Sequence, residues 1–128
     1  MDKNSLVESG REIVRGLQDD GVPLIAALWV REMSDTGDTG DDNWLLWLAP
    51  KTFQGRTNFY ALLAKVLTRL QPQIGYFEIS NVRSIVPTNS IIGELRRFGP
   101  IRPDRPRYLF NENLGGIYLK EAIVLHVD

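Results

Sequence analysis

Two short apolar runs constrain the fold of this 128-residue chain more than any other feature. Residues 22–30 read VPLIAALWV and residues 43–50 read NWLLWLAP, with neither a helical stripe nor a regular alternation of apolar and polar residues. Strands that are apolar on both faces are typical of a sheet that is covered on each side. The sequence therefore predicts two central strands, at about 22–33 and at 43–50.

Three other segments have the three-to-four-residue apolar period of amphipathic helices. They lie at about 5–20, 57–71 and 89–98, and the period is clearest in the second. Ser5 followed by Glu8 matches a capping box, which predicts the start of the first helix. We expect the second helix to end at Pro72, because proline lacks an amide hydrogen.

The remaining chain predicts three more strands. Alternation within residues 74–87 predicts one strand. Residues 107–110 are predicted to form a second strand. Residues 111–116 predict a turn that leads into the last strand at 117–128, with a bulge near Lys120-Glu121 that shifts its alternation.

The predicted order of elements is α-β-β-α-β-α-β-β. Hairpins near both ends favour a mostly antiparallel sheet of about five strands with three helices packed on it, which is an α+β fold. Residues 1–128 have the length of one domain, and we see no linker or internal repeat.

The composition excludes several classes of protein. The chain has no cysteine, which removes disulfides, thiolate metal sites and a cysteine nucleophile, and fits a reducing cytoplasm. The N-terminal residues have no signal-peptide pattern, and the longest apolar run is too short to span a bilayer. We therefore expect a cytoplasmic protein with no membrane association.

Residues 34–43, SDTGDTGDDN, are the most acidic stretch of the chain. Its first three aspartates are three residues apart, and no glutamate follows at the position that a calcium loop requires. Aspartate and glycine also suit the solvated tip of a hairpin. This pattern favours a turn, and we predict no metal site and no cofactor.

No set of catalytic residues is assembled in the sequence. His126 is the only histidine, it lies two residues from the end of the chain, and no nucleophile elbow or phosphate-binding glycine loop occurs. An enzyme whose site is composed of scattered residues stays open as an alternative. Its candidate residues are Glu78, Arg83, Tyr118 and Glu121.

The segment RRFGPIRPDRPR, residues 96–107, is the strongest candidate for binding. Guanidinium groups bind phosphate and carboxylate with two parallel hydrogen bonds, and the three prolines of the segment stiffen its backbone. The predicted binding residues are Arg96, Arg97, Arg102, Arg105 and Arg107. We call residues 96–107 the arginine segment.

Charge is divided unequally along the chain. Residues 1–50 contain four Lys/Arg and ten Asp/Glu, a net charge of −6, whereas residues 51–128 contain eleven and six, a net charge of +5. Such a division can serve docking to a partner or association of identical copies. Trp44 and Trp47 should lie on opposite faces of their strand, and an outward-facing tryptophan would suit a homodimer contact.

The sequence does not identify one function. The interpretation that it favours is a small, non-enzymatic protein that binds a protein partner or itself, in a regulatory or accessory role. A second hypothesis is nucleic-acid or nucleotide binding through the arginine segment, although no nucleic-acid-binding motif accompanies it. The composite enzyme site is the third.

Overall fold

A computed structural model of the chain describes residues 3–32, 43–52, 56–74 and 82–128. Three helices and five strands follow the predicted order. The elements are α1 (Lys3–Asp19), β1 (Leu24–Glu32), β2 (Asn43–Pro50), α2 (Arg56–Ile74), β3 (Val82–Ser84), α3 (Ser90–Arg96), β4 (Arg107–Leu114) and β5 (Ile117–Val127).

All five strands belong to one sheet, in the spatial order β3-β2-β1-β5-β4. The pairs β1–β2, β1–β5 and β4–β5 are antiparallel. The pair β2–β3 is parallel, because α2 carries the chain back across the sheet between these strands. The prediction of an α+β fold with a mostly antiparallel, five-stranded sheet is confirmed.

The sheet lies between two layers, which explains why the central strands are uniformly apolar. One core cluster joins α1 and α2 to one face of the sheet, and a second joins α3 and Ile101 to the other face. Trp29 of β1 lies in the first cluster and Leu28 in the second, and both are almost fully buried. β1 therefore has no polar face, as its sequence predicted.

Irregular pairing accounts for the absence of alternation at the start of β1. Ile25 and Ala26 are consecutive, yet both lie in the second cluster. The register between β1 and β2 shifts between Leu24 and Ala26, and that between β1 and β5 shifts between Ala27 and Leu28. The shift against β2 places the extra residue, Ile25, in β1, so the period of two is lost there, whereas the shift against β5 places the extra residue, Leu125, in β5.

Two glycines allow α1 to pack closely on its neighbours. A Cβ atom on Gly10 would lie 2.3 Å from Leu125 Cδ1 and 2.8 Å from Trp29 Nε1, and one on Gly16 would lie 2.8 Å from Val66 Cγ1 of α2. The Trp29 indole, which lies beside Gly10, donates a hydrogen bond of 2.7 Å to the carbonyl of Leu6, one turn earlier in α1. The backbone of α1 therefore lies directly against the sheet and α2.

Two predicted helix boundaries were wrong. α1 begins at Lys3, so Ser5 lies inside the first turn instead of capping it. α2 continues through Pro72 to Ile74. Because Pro72 is close to the helix end, it removes one hydrogen bond and leaves the preceding turns intact.

The hairpin of β4 and β5 is longer than predicted. β4 continues to Leu114, which pairs with Ile117, and the turn consists of Gly115 and Gly116 alone. Both glycines have positive φ, 58° and 83°, as a two-residue type I′ turn requires.

The alternation of β5 shifts near Lys120-Glu121 as predicted, but the register with β4 is unbroken there, so the predicted bulge was wrong. Leu119 and Ala122 both lie in the second core cluster although they are three residues apart. Opposite this shift, Asn111 of β4 has a φ of 53°, and Phe110 and Glu112 on either side of it stay in register with β5. In both strands, the alternation of side chains between the two faces of the sheet therefore shifts at the same position along the β4–β5 pair.

The tryptophans are core residues. Trp44 lies in the first cluster and Trp47 in the second, which confirms their predicted opposite directions. Together with Trp29 they are at most 8% exposed, so no tryptophan is available as an outward anchor. Among the helices of the described residues, none has the length and apolar character needed to cross a membrane.

Candidate functional site: an arginine segment beside a polar cleft

The arginine segment runs from the last turn of α3, over the end of β5, to the start of β4. Gly99, with a φ of 80°, turns the chain away from the helix. Ile101 then exchanges two backbone hydrogen bonds of 3.0 Å with Val127 of β5. The middle of the segment is therefore fixed to the sheet.

The structure gives the five predicted arginines different surroundings. Arg97 forms an ion pair of 2.9 Å with Glu94, one turn earlier in α3. Arg107 places its guanidinium 4.5 Å from the centre of the Phe98 ring. Such a stacked guanidinium keeps its outer edge free for a further hydrogen-bonding partner.

Arg96 and Arg105 are exposed, and neither forms an ion pair within the described parts of the chain. Asp104, the one acid of the segment, is exposed as well and has no ion-pair partner there. At Arg96 and Arg105 the segment therefore presents positive charge that no carboxylate of the described residues pairs.

Arg102 is also exposed, and it lines a cleft of about 350 Å³ between α1, the arginine segment and the end of β5. Its Nη1 donates to the carbonyls of Ile101, at 3.1 Å, and Val127, at 2.9 Å, which fixes the guanidinium at the strand end. We call this space the polar cleft. Its lining residues are Arg11, Val14, Arg15, Gln18, Arg102, Pro103, Asp104, His126 and Asp128.

His126 closes the inner wall of the polar cleft and is 4% exposed. Its Nε2 lies 3.1 Å from the Leu24 carbonyl, which can only accept, so this nitrogen carries the proton. Burial lowers the pKa of His126 below its usual 6.5, and the charge of Arg102 lowers it further, against the opposing effect of Asp128. The ring is therefore neutral at pH 7.

Asp128 is ionised and already paired. A hydrogen bond from Lys51, 2.7 Å away, lowers the pKa of Asp128 below its usual value, although burial opposes this effect. Since Lys51 compensates this carboxylate, Asp104 is the remaining acid in the lining of the cleft.

Arg11 and Arg15 are the cleft residues that the sequence reasoning missed. They are four residues apart on α1 and therefore share one face of the helix. The Nε of Arg11 is buried without a hydrogen-bond partner, and Arg15 has only a loose ion pair of 3.8 Å with Glu12. Two arginines at this spacing were a visible signal, but the sequence did not show that α1 packs beside residue 102.

The outer strand β4 forms a second notable surface. It is an edge strand, paired with β5 on one side only. Tyr108 and Phe110 flank the buried Leu109 and are 43% and 55% exposed, and Tyr118 of β5 is 58% exposed. Because their neighbours Leu109 and Leu119 face the second cluster, all three aromatic rings face the opposite side of the sheet. We call Tyr108, Phe110 and Tyr118 the aromatic edge.

The residues suggested for a composite enzyme site do not come together. Arg83 lies on β3, and β1 and β2 separate it from Tyr118 and Glu121, about 14 Å away at the usual strand spacing. The fourth candidate, Glu78, lies outside the described residues.

Glu121 instead belongs to a structural ion cluster with Lys3 and Arg31. Burial raises the pKa of the Glu121 carboxyl, but hydrogen bonds and charge from Lys3 and Arg31 outweigh it, so the pKa lies below its usual value. The carboxylate stays ionised and ties the start of α1 to the sheet.

The acidic stretch 34–43 lies outside the described residues except for Asn43, which pairs with Glu32 at the end of the β1–β2 ladder nearest the connecting residues. Antiparallel pairing of the two flanking strands confirms the predicted hairpin. In the part of the chain that the structure describes, no group of three or more acidic or histidine residues could hold a metal ion.

The fold and the two surfaces define a small α+β protein with a mixed five-stranded sheet between two layers. Comparison with protein-family models, with curated proteins and with solved structures gave no match. Function must therefore be argued from the surfaces themselves.

Proposed function

We propose that this is a non-enzymatic binding protein whose arginine segment and edge strand β4 dock an acidic region of a protein partner. The observation that carries the proposal is the continuity of the two features. Exposed guanidinium groups of residues 96–107 lead directly into a strand whose outer edge has no neighbouring strand among the strands that the structure describes.

Charge and composition support a macromolecular partner. Exposed Arg96 and Arg105 have no carboxylate partner among the described residues, so an acidic surface would find donors that are not already engaged. Arginine and large aromatic residues are also enriched at the centres of protein interfaces. The aromatic edge adjoins the segment through Arg107, the first residue of β4.

An edge strand supplies backbone donors and acceptors to an incoming extended segment, which adds a strand to the sheet. In this arrangement the backbone would provide affinity and the arginines would select acidic sequences. A second copy of the chain is the alternative partner for the same edge. We place the function in the cytoplasm, since the chain has no cysteine.

Single-stranded nucleic acid is the second candidate ligand, and the aromatic edge favours it specifically. Bases stack on exposed aromatic rings while arginines contact the phosphates. The three rings of the aromatic edge share one side of the β4–β5 hairpin, as such stacking requires.

The test compares a fluorescent polyglutamate peptide with a single-stranded oligonucleotide of equal charge, by fluorescence anisotropy at low salt. We expect the peptide to bind, and the double substitution Arg105→Ala with Arg107→Ala to weaken it about tenfold, as for arginines at an interface centre. The matched control removes the same charge from α2 through Lys65→Ala with Arg69→Ala, and should bind as the parent protein does.

Three results would decide against the proposal. Absence of binding by either probe at low salt would end the electrostatic argument. Binding of the oligonucleotide alone, with a steep salt dependence, would favour the nucleic-acid candidate. A dimer in light scattering that dissociates on Tyr108→Ser with Phe110→Ser would assign the edge to self-association.

A further inference from the structure

We propose that the polar cleft is a binding site for the phosphate group of a small phosphate ester. This inference goes beyond the docking of a macromolecule, and the two sites share only Arg102, Pro103 and Asp104 of the arginine segment. The cleft brings guanidinium groups from two separate parts of the chain, α1 and the arginine segment, to one cavity of about 350 Å³.

The two arginines of α1 repel each other, and a bound anion would reduce this repulsion. Like charges at positions four apart on a helix destabilise it by a few tenths of a kcal/mol. Arg11 and Arg15 have this spacing, and the buried Nε of Arg11 has no acceptor. A buried donor without a partner costs free energy as well. Phosphate oxygens in the cleft would reduce the repulsion between the two guanidinium groups, of which Arg15 has the loose ion pair with Glu12 described above.

Arg102 completes the site from the opposite wall. Its Nη1 donates to the carbonyl of Val127 at the end of β5 and to that of Ile101 in the arginine segment, and this anchoring holds the guanidinium in place before any ligand arrives. A donor that is already positioned loses little conformational entropy on binding. The charge of Arg102 acts on the neutral ring of His126 and also on the carboxylate of Asp128, which Lys51 already pairs.

The arrangement favours phosphate over a carboxylate. A phosphate group carries close to two negative charges at pH 7 and three terminal oxygens that accept hydrogen bonds in different directions. Guanidinium groups on α1 and on the facing segment approach from two sides, which a planar carboxylate cannot match equally well. Lys51 already compensates Asp128, so the lining carries three arginines against one unpaired acid, Asp104.

The size of the cleft and the position of Asp104 describe the rest of the ligand. About 350 Å³ is at the lower end of the range for small-molecule sites, so a compact ester fits and a dinucleotide does not. Asp104 repels a second phosphate but accepts hydrogen bonds from hydroxyl groups. A short phosphorylated polyol is therefore the chemical class that the cleft suits.

The experiment uses inorganic phosphate as the probe and His126 as the reporter. Because His126 is the only histidine, its imidazole gives a single, assignable NMR signal in the wall of the cleft. Titration at constant ionic strength should move this signal saturably, with a dissociation constant of about millimolar or below. Bound phosphate should compensate the charge of Arg102, and the pKa of His126 should therefore be higher in the phosphate complex than in the free protein.

The variants separate this site from the proposed docking surface. Arg11→Ala with Arg15→Ala should weaken phosphate binding at least about tenfold, the loss expected when one or two charge-assisted hydrogen bonds are removed, and should leave polyglutamate binding unchanged. Arg96→Ala with Arg97→Ala removes the same charge outside the cleft and should leave phosphate binding unchanged. If the α1 variant does not fold, Arg102→Gln provides an independent test of the cleft.

Several results would overturn the inference. The inference fails if the His126 signal shows no saturable shift with phosphate, or if acetate at the same ionic strength shifts it equally. It also fails if Arg96→Ala with Arg97→Ala weakens phosphate binding as much as the α1 variant does. Glycerol 3-phosphate should bind more tightly than inorganic phosphate, and equal affinity would refute the assignment to a phosphorylated polyol.

Discussion

His126 connects a single ionisation to the stability of the fold. Burial and the charge of Arg102 lower the pKa of this ring in the folded protein, while the unfolded chain has the usual value near 6.5. The unfolded state therefore binds the proton more readily. The contribution of the neutral ring is present above the unfolded pKa and is lost as the pH falls below it.

We expect the free energy of unfolding to decrease as the pH is lowered from about 8 to about 5.5. Histidine is the only side chain whose unperturbed pKa lies in this range. Urea denaturation at several pH values measures this slope. His126→Gln keeps a donor for the Leu24 carbonyl but cannot titrate, so its slope should be flat over the same range. A variant with the slope of the parent protein would show that another group is responsible.

At the scale of elements, close packing of α1 determines where glycine is required. Gly10 lies where the helix touches Trp29 and Leu125, both almost fully buried. Gly93 lies on the exposed side of α3, and a Cβ atom there would meet nothing within 4 Å. The two glycines are in helices, so intrinsic helix propensity favours alanine equally at each position.

The two substitutions should therefore have opposite signs. We expect Gly10→Ala to destabilise the protein by about 1–3 kcal/mol, because the added methyl group must displace buried side chains. Gly93→Ala should stabilise it by about 0.5–1 kcal/mol through propensity alone. Thermal and urea unfolding measure both, and stabilisation by Gly10→Ala would show that α1 does not lie as close to the sheet as described.

At the scale of the molecule, the order of the strands determines which parts open together. β1 lies between β2 and β5 and is covered on both faces, whereas β4 and β3 are at the edges. Amides in the centre of a structure exchange only when the whole protein unfolds, and edge amides exchange through local opening.

Hydrogen exchange should therefore be slowest at residues 26–30 of β1 and faster along β4, by about tenfold or more. Mass spectrometry or NMR at two protein concentrations measures it. If the amides of β4 are as slow as those of β1 and slow further as concentration rises, the edge is covered by a second copy. That result would favour self-association over docking of a different partner.

The charge division along the sequence does not survive as two halves of the molecule. β1, from the acidic half, pairs with β5, from the basic half. Ion pairs between the halves include those of Lys3 with Glu121 and of Arg69 with Asp20. The five arginines that the sequence grouped have different surroundings, because Arg97 pairs with Glu94, Arg107 stacks on Phe98 and Arg102 lines the polar cleft.

Local patterns in the sequence are enough to predict the types and order of the elements, because apolar periods and turn residues act over a few neighbours. The apolar runs at 22–30 and 43–50 predicted central strands, and both became central strands of the sheet. Tertiary structure alone decided that Arg11 and Arg15 face Arg102 across a cleft and that Arg83 is far from Glu121. Such pairings depend on the order of strands and the packing of helices, which long-range contacts set and no local pattern records.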